Sequence, residues 1–218
     1  MDASSPNPGA PLTLWVDSLF DSPYAMSAFV ALEEKQLPYT LETVSLKTGE
    51  HHKPAYKSAT GRVPALQHGD YWLAESTAIA EYLAEVFPFP KHPRLFPENL
   101  QQRGVCRMIQ AWVRSDFMAI REERSTETIF FERTEAPLSN AAIGQANRLL
   151  KGIEPLIAEG RSTLFEQWCI ADCDLALFLQ RLNLNGGFTL PAKVKAYAEG
   201  AWQRPSIQKW VRMPRPAR

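Results

Sequence analysis

The first part of the chain alternates short apolar runs with amphipathic ones. Residues Leu12–Val16 form an apolar run of strand length, and after a polar break the apolar residues from Ala25 to Gln36 have helical spacing. Residues 37–46 then alternate between polar and apolar side chains and include Tyr, Thr and Val, which predicts a second strand. The pattern indicates a β-α-β unit with parallel strands and a right-handed crossover.

The next predicted strands run in opposite directions. The polar segment 47–60 predicts a loop with a short irregular helix. Residues 62–67 and 71–73 are then two short strand-like runs, and the Gly-containing segment 68–70 between them is typical of a hairpin turn. The chain is therefore expected to switch here to antiparallel pairing.

A helix is predicted to complete the first domain. Apolar residues recur at helical spacing from residue 78 onward, and Ser76 or Thr77 is a suitable cap. The order of elements becomes β-α-β-α-β-β-α, which is one α/β layer pair. We assign this domain to residues 11–87 and predict a disordered tail at residues 1–10.

A proline-rich segment separates this domain from a second one. Prolines occur at positions 88, 90, 93 and 97, too densely for a helix or a central strand, so residues 88–98 are predicted to be a linker. Residues 99–218 show helical spacing and predict an all-α bundle. The helices are expected at Leu100 to about Arg124, about Asn140 to Glu159, Ala171–Leu182, about Lys193 to Trp202, and Ile207–Val211. The polar stretch 123–136 either breaks the first of them or projects over a cleft.

Composition and charge exclude several classes of function. The chain has 218 residues, of which 45% are hydrophobic and 22% charged, so it can bury a substantial core. Lys plus Arg and Asp plus Glu number 24 each, and this balance provides no field that would attract nucleic acid. No apolar run approaches the ~20 residues of a membrane helix, and residues 1–11 do not resemble a signal peptide. We expect a cytoplasmic protein that binds neither nucleic acid nor membrane.

Cysteine and histidine usage predicts neither disulfides nor a metal site. The three cysteines, Cys106, Cys169 and Cys173, include no C-x-x-C pair and are expected to be small buried residues. The four histidines lack cysteine or carboxylate partners at the spacing of metal ligands. No metal is expected.

Ser22 and Pro23 stand at the start of the first predicted helix. Serine is a preferred N-cap and proline is favoured as the first helical residue, so Ser22 is predicted to cap the helix. The unpaired N–H groups and the positive end of the dipole at a helix N-terminus stabilise an anion. The sequence therefore predicts that a negatively charged group binds beside the Ser22 hydroxyl.

Several motifs occur together that are typical of one enzyme family. They are Ser22-Pro23-Tyr24, Gly49-Glu50-His51-His52-Lys53-Pro54, Arg62-Val63-Pro64, Glu75-Ser76, the proline-rich linker and Cys169-Ile170-Ala171-Asp172. With them the chain, from about Leu12 to Trp210, resembles the cytosolic glutathione S-transferases. The resemblance implies an α/β thioredoxin-like N-terminal domain that binds glutathione, followed by an all-α C-terminal helical bundle.

The resemblance also implies where glutathione binds. Val63 and Pro64 are implied to share a cis peptide bond, and the Val63 backbone to pair with the cysteinyl part of the tripeptide. Glu75 and Ser76 are implied to hold the γ-glutamyl end, where a carboxylate suits the ammonium group and a hydroxyl at a helix start suits the carboxylate. The side chains implied near the glycine carboxylate are His51, His52 and Arg62.

Ser22 is the residue implied to be catalytic. A free thiol has a pKa of about 8.5, whereas the attacking species is the thiolate. A hydroxyl that donates to the sulfur from a helix N-terminus stabilises this anion. Tyr24 and Ser18 remain as other candidates for the donor, and Asp172 is implied to be a buried helix cap with a structural role.

Two classes of function remain open. The resemblance implies an enzyme that uses glutathione as co-substrate with a small electrophile or a hydroperoxide, most often as a homodimer. The alternative is a related domain that serves as a non-catalytic binding or assembly module. Retention of Ser22, Val63-Pro64 and Glu75-Ser76 together favours the enzyme. A zeta-like isomerase is disfavoured, because the Ser-Ser-Cys-type entry to the first helix is replaced here by Asp21–Pro23.

Overall fold

The computed structural model describes residues 6–216 and divides them into two compact units. The first unit comprises residues 6–95 and 213–216, and the second comprises residues 96–212. The first contains a mixed β-sheet with helices and the second is helical, which confirms the predicted fold class. Residues 213–216 group with the first unit, whereas the predicted all-α domain extends to residue 218.

The sheet of the first unit has four strands. They are β1 (Leu12–Asp17), β2 (Thr40–Val44), β3 (Ala65–His68) and β4 (Tyr71–Ala74). Their order across the sheet is β2-β1-β3-β4, with β1 parallel to β2 and antiparallel to β3. β3 and β4 pair as the predicted antiparallel hairpin.

The strand β1 contributes side chains to two different clusters. Leu14 and Val16 are fully buried, and helix α1 (Pro23–Glu34) packs against this strand. Trp15, which alternates with them, contacts the rings of Tyr56 and Trp72, with centroid distances of 6.0 and 5.7 Å. Because Tyr56 belongs to the segment between β2 and β3, this aromatic cluster anchors that segment on the sheet.

Helix α1 begins as predicted. Ser22 is its N-cap, the Ser22 Oγ accepts the Ala25 N–H at 3.2 Å, and Pro23 is the first helical residue. Residues 25–32 are all buried, so the helix lies within the core of the unit.

Helix α2 (Ser76–Val86) begins differently from the prediction. Glu75 is its N-cap residue, so the predicted cap at Ser76 or Thr77 is wrong. Glu75 has a φ of 73°, and this left-handed conformation turns the chain out of β4 directly into the helix. Ser76 is therefore already helical.

The second unit is built from helices alone. They are α3 (Leu100–Ser115), α4 (Met118–Glu123), α5 (Glu127–Phe130), α6 (Asn140–Ile153), α7 (Ile170–Asn183), α8 (Ala192–Trp202) and α9 (Pro205–Val211). Helix α7 is buried along almost its whole length and packs against α3 and α8. The helix predicted at 140–159 ends at Ile153, because Pro155 in the following 3₁₀ turn has no N–H to continue it.

The first helix predicted for this unit is broken earlier than expected. The prediction extended to about Arg124, whereas α3 ends at Ser115. Phe117 has a φ of 63° and only 1% of its surface is exposed. Its ring lies against Trp112 and Phe178, with centroid distances of 4.9 and 5.4 Å. Burial of this ring compensates for a backbone conformation that is unfavourable for a bulky residue.

Asp172 is the buried helix cap that the resemblance implied. Its carboxylate accepts the backbone N–H groups of Leu164 at 2.7 Å and Cys169 at 2.9 Å, and the hydroxyl of Tyr197 at 2.8 Å. The residue is fully buried. Its role in the second unit is therefore structural.

The N-terminal segment is described in part. Of the predicted disordered tail, residues 1–5 lie outside the described residues. In the rest of it, the N–H groups of Gly9 and Ala10 donate to the side chain and the carbonyl of Asn7, both at 3.0 Å, and close a turn. Within residues 6–216, every helix is too short or too polar to cross a membrane.

Asp172→Ala is expected to lower the free energy of unfolding by about 3–5 kcal/mol, because three buried donors lose their acceptor. Tyr197→Phe removes only one of these bonds and should reduce stability by about 1 kcal/mol. Urea denaturation measures both. The matched control is Glu166→Ala, which removes an exposed carboxylate nearby and should change stability by less than about 0.5 kcal/mol. A loss for Asp172→Ala no larger than that of the control would contradict the structural role.

The stability contribution of Tyr56 is expected to depend on pH. Burial raises the pKa of Tyr56 to about 12, whereas an unfolded tyrosine titrates near about 10. Between these pH values the unfolded state releases its proton first, so stability falls as the pH rises, by about 1.4 kcal/mol per unit. Urea denaturation at pH values below and above about 10, the pKa of an unfolded tyrosine, measures the free energy of unfolding of the wild type and of Tyr56→Phe. The difference between the two proteins should become smaller at the higher pH. An unchanged difference would show that the phenol is not buried.

Candidate functional site

Three of the predicted site segments adjoin the same end of the sheet. In the strand register, Trp15 of β1 lies opposite Ala65 of β3, and Ala65 lies opposite Ala74 of β4. The chain leaves β1 toward Ser22, enters β3 from Val63-Pro64 and leaves β4 into Glu75-Ser76. Three segments that are distant in sequence therefore lie side by side, and helices α1 and α2 both begin there.

The loop between β1 and α1 is held by Asp17. Its carboxylate accepts the backbone N–H of Asp21 at 2.9 Å and that of Ser22 at 3.2 Å. Only 2% of Asp17 is exposed, and Phe20 within the loop has a φ of 52°. Asp17 is not among the predicted site residues, although an acidic residue directly after an apolar strand is a sequence signal for such a position.

Ser22 is partly exposed at the start of α1. Its Oγ accepts the Ala25 N–H and so uses one lone pair, while the hydroxyl hydrogen remains available to donate. The residue lies at the positive end of the helix dipole. The two alternative donors lie close to Ser22 in sequence. Tyr24 is in the first turn of α1. Ser18 is the first residue after β1, and its N–H donates to the Val44 carbonyl at 3.0 Å.

The Val63–Pro64 peptide bond is cis, as the resemblance implied. Val63, like Trp15 and Trp72, packs against the buried cluster of Val44, Tyr56 and Ala65. The Tyr56 hydroxyl donates to the carbonyl of the preceding residue, Arg62, at 2.6 Å. This hydrogen bond fixes the backbone that leads into Val63, so Tyr56 is a supporting residue that the sequence analysis did not identify.

Glu75 and Ser76 place a carboxylate beside a helix N-terminus. Glu75 is exposed, and its carbonyl accepts the Ile79 N–H at 2.9 Å. Ser76 is 4% exposed and occupies the first position of α2. A ligand with an ammonium and a carboxylate group on one carbon matches this pair, because each group meets a partner of opposite charge or polarity.

The histidines lie in the segment between β2 and β3. His51 and His52 belong to a 3₁₀ turn, and their ring centroids are 3.8 Å apart. His52 lies close to Gly61, the residue before Arg62, because a Cβ placed on Gly61 would be 3.8 Å from His52 Nδ1. Both His52 and Arg62 are exposed. Among residues 6–216, no group of three or more His, Cys, Asp or Glu side chains is arranged to hold a metal ion.

Comparisons with known proteins agree with this geometry. Residues 21–86 match the glutathione S-transferase N-terminal domain, and residues 99–215 match the glutathione S-transferase C-terminal domain. A glutathione transferase homolog from Burkholderia gl BGR1, solved with bound glutathione, is 42% identical, with a TM-score of 0.77 over 92% of this chain and 96% of that chain.

Two curated relatives are more distant. The stringent starvation protein A homolog of Histophilus somni is 27% identical over 95% of this chain and 93% of its own length. Glutathione S-transferase theta-1 of Mus musculus is 33% identical over 46% of this chain and 41% of its own length. Because the two domain matches together cover most of the chain, the protein belongs to the glutathione S-transferase family.

Proposed function

We propose that this protein is a glutathione transferase that activates glutathione as a thiolate. The observation that carries the proposal is the position of Ser22, held by Asp17 at the N-terminus of α1, at the sheet end where Val63-Pro64 and Glu75-Ser76 also lie. The Burkholderia relative with bound glutathione supports the choice of ligand.

The proposed role of Ser22 follows from the chemistry of thiols. At neutral pH most free thiol is protonated, so a transferase must favour the thiolate. A hydroxyl that donates to the sulfur stabilises the anion by about 1.4 kcal/mol for each unit by which the thiol pKa falls. Ser22 keeps its own proton in this role, and the dipole of α1 acts in the same direction.

Glutathione offers separate groups that match the separate parts of the site. We assign its α-ammonium group to the Glu75 carboxylate and its γ-glutamyl carboxylate to Ser76 at the start of α2. Its cysteinyl backbone pairs with that of Val63, in the manner of a strand added to a sheet edge. The residues assigned to the glycine carboxylate are His51, His52 and Arg62, with Pro64 fixing the direction of the Val63 backbone.

The second substrate is proposed to be a small electrophile or a hydroperoxide. In conjugation, the thiolate forms a carbon–sulfur bond and the leaving group departs with the electron pair. In peroxide reduction, the sulfur attacks the O–O bond and releases an alcohol, and a second glutathione converts the sulfenic acid to glutathione disulfide and water. Both reactions begin from the same thiolate. From family membership we also propose a homodimer in the cytoplasm.

Within the family, we propose that the chain belongs to the bacterial YfcF-type branch. The strings that suggest this are Leu14-Trp15-x-Asp17, Ile109–Trp112, Ile120–Arg124 and Trp168–Asp172. Each of them contains a polar residue that is buried in this structure, namely Asp17, Gln110, Arg124 and Asp172. Buried polar groups require hydrogen-bond partners, so these strings reflect internal hydrogen bonding that a branch of the family would share.

Ser22→Ala is expected to reduce turnover far more than glutathione binding. The hydroxyl interacts strongly with the thiolate and weakly with the thiol, so loss of a charge-assisted hydrogen bond of about 1.5–3 kcal/mol should lower kcat by roughly ten- to a hundredfold. A panel of electrophiles and hydroperoxides measures kcat and KM, and thiolate absorbance measures the pKa of bound glutathione. This pKa should rise, so that activity is partly recovered in alkali.

Ser18→Ala and Tyr24→Phe are the matched comparisons, because they remove the other two hydroxyl groups of the same segment. If Ser22→Ala keeps wild-type activity and the pKa of bound glutathione is unchanged, Ser22 acts only as a helix cap. If one of the other two variants then lost activity, it would identify the donor. Glutathione binding without turnover of any substrate in the wild type would favour the non-catalytic module.

Glu75→Gln is expected to weaken glutathione binding by roughly ten- to a hundredfold, because the ligand ammonium loses its carboxylate partner, worth about 1.5–3 kcal/mol. Isothermal titration calorimetry measures the Kd. Glu85→Gln, an exposed carboxylate on the same helix, is the matched control and should bind as the wild type does. An unchanged Kd in Glu75→Gln would remove Glu75 from the site.

A further inference from the structure

Arg215 binds the loop that leads to Ser22. It lies among the last described residues, 213–216, which group with the first unit. Its Nη2 donates to the Phe20 carbonyl at 2.9 Å, and its Nη1 donates to the Met213 carbonyl at 3.2 Å. The guanidinium group thus connects the C-terminal segment to the residue two positions before Ser22.

The carbonyl that Arg215 binds belongs to an unfavourable backbone conformation. Phe20 has a φ of 52°, which is uncommon for a bulky residue and persists only where surrounding contacts hold it. On the N-terminal side, the Phe20 N–H donates to the Asp17 carbonyl at 3.2 Å. The Asp17 carboxylate holds the two N–H groups that follow Phe20, and Arg215 holds the Phe20 carbonyl. The loop is therefore fixed from both sides.

Electrostatic attraction also favours the contact between Arg215 and the loop before Ser22. Burial lowers the pKa of Arg215, and the nearby carboxylates of Asp21 and Asp17 oppose this shift. Asp17 is almost fully buried, and a buried carboxylate is tolerated where N–H donors and a cation compensate its charge. Arg215 supplies this positive charge beside a site where, in the proposed reaction, a further anion forms.

We infer that Arg215 is a positioning residue for catalysis, which fixes the Ser22 hydroxyl against the glutathione sulfur by binding the Phe20 carbonyl. The inference rests on the proposed function. It adds a residue 195 positions beyond Phe20 to a site whose other proposed residues all belong to the N-terminal motifs.

The test compares Arg215→Met with Arg212→Met. Both variants lose one positive charge within four residues of each other in sequence, but Arg212, the C-cap of α9, is exposed, so its variant should match the wild type. Arg215→Met should lower kcat by roughly tenfold, the factor for weakening one charge-assisted hydrogen bond, and change KM for glutathione by less than about twofold. The pKa of the bound thiol should rise by about one unit. Conjugation of an activated aryl chloride and thiolate absorbance provide these values.

A double-mutant cycle separates positioning from other effects. If Arg215 acts through Ser22, the variant with both Ser22→Ala and Arg215→Met should be about as impaired as Ser22→Ala alone. Losses that multiply would overturn the inference, as would wild-type kinetics in Arg215→Met. In either case a defect in Ser22→Ala would leave the proposed role of Ser22 intact, whereas wild-type kinetics in Ser22→Ala would contradict that role itself.

Arg215→Lys keeps the test valid if Arg215→Met does not fold. Lysine retains the charge but cannot bind two carbonyls through a planar fork, so it should restore part of the lost kcat. Thermal unfolding of all variants identifies those that remain folded. If Arg215→Met does not fold, Arg215→Lys decides the test. A folded Arg215→Lys whose kcat and thiol pKa equal those of the wild type would overturn the positioning role.

Discussion

The geometry of the site depends on the two hydrogen bonds that the Asp17 carboxylate accepts from the backbone N–H groups of Asp21 and Ser22. They bend the chain at the end of β1, so that α1 begins beside the strand it follows. Leaving a buried donor without its acceptor costs about 1–3 kcal/mol. Because Ser22 in turn caps α1 through Ala25, the same carboxylate determines where the helix begins and where the Ser22 hydroxyl lies.

The sheet topology brings two further segments to the end of the sheet where the loop before Ser22 begins. β1 is central, and its antiparallel pairing with β3 brings the entry to β3 next to the exit of β1. The hairpin then brings the exit of β4 to the same end. A parallel strand at that position would have placed Val63-Pro64 at the opposite end of the sheet. The mixed pairing therefore brings the start of α1, the start of α2 and the Val63-Pro64 segment to the same end of the sheet.

Local patterns made most of the fold predictable, whereas long-range contacts determined what was missed. The apolar run of β1 and the Ser22-Pro23 start of α1 are encoded by neighbouring residues, and both were predicted correctly. The break at Phe117 was not, because it depends on a ring buried against residues from other turns and helices. The positive φ of Glu75 was also missed, because no glycine stands at that position to indicate such a backbone conformation. The binding roles of the site residues were inferred from motifs and remain predictions.

The order of translation limits when the contact between Arg215 and Phe20 can form. The two residues are 195 positions apart. A ribosome adds about 5–20 residues per second, so Phe20 is made roughly 10–40 s before Arg215 exists. In that interval the strands and helices of the first unit are available to fold, but the loop before Ser22 lacks its guanidinium contact. The hydrogen bond from Arg215 to this loop can therefore form only after the entire helical unit has been translated.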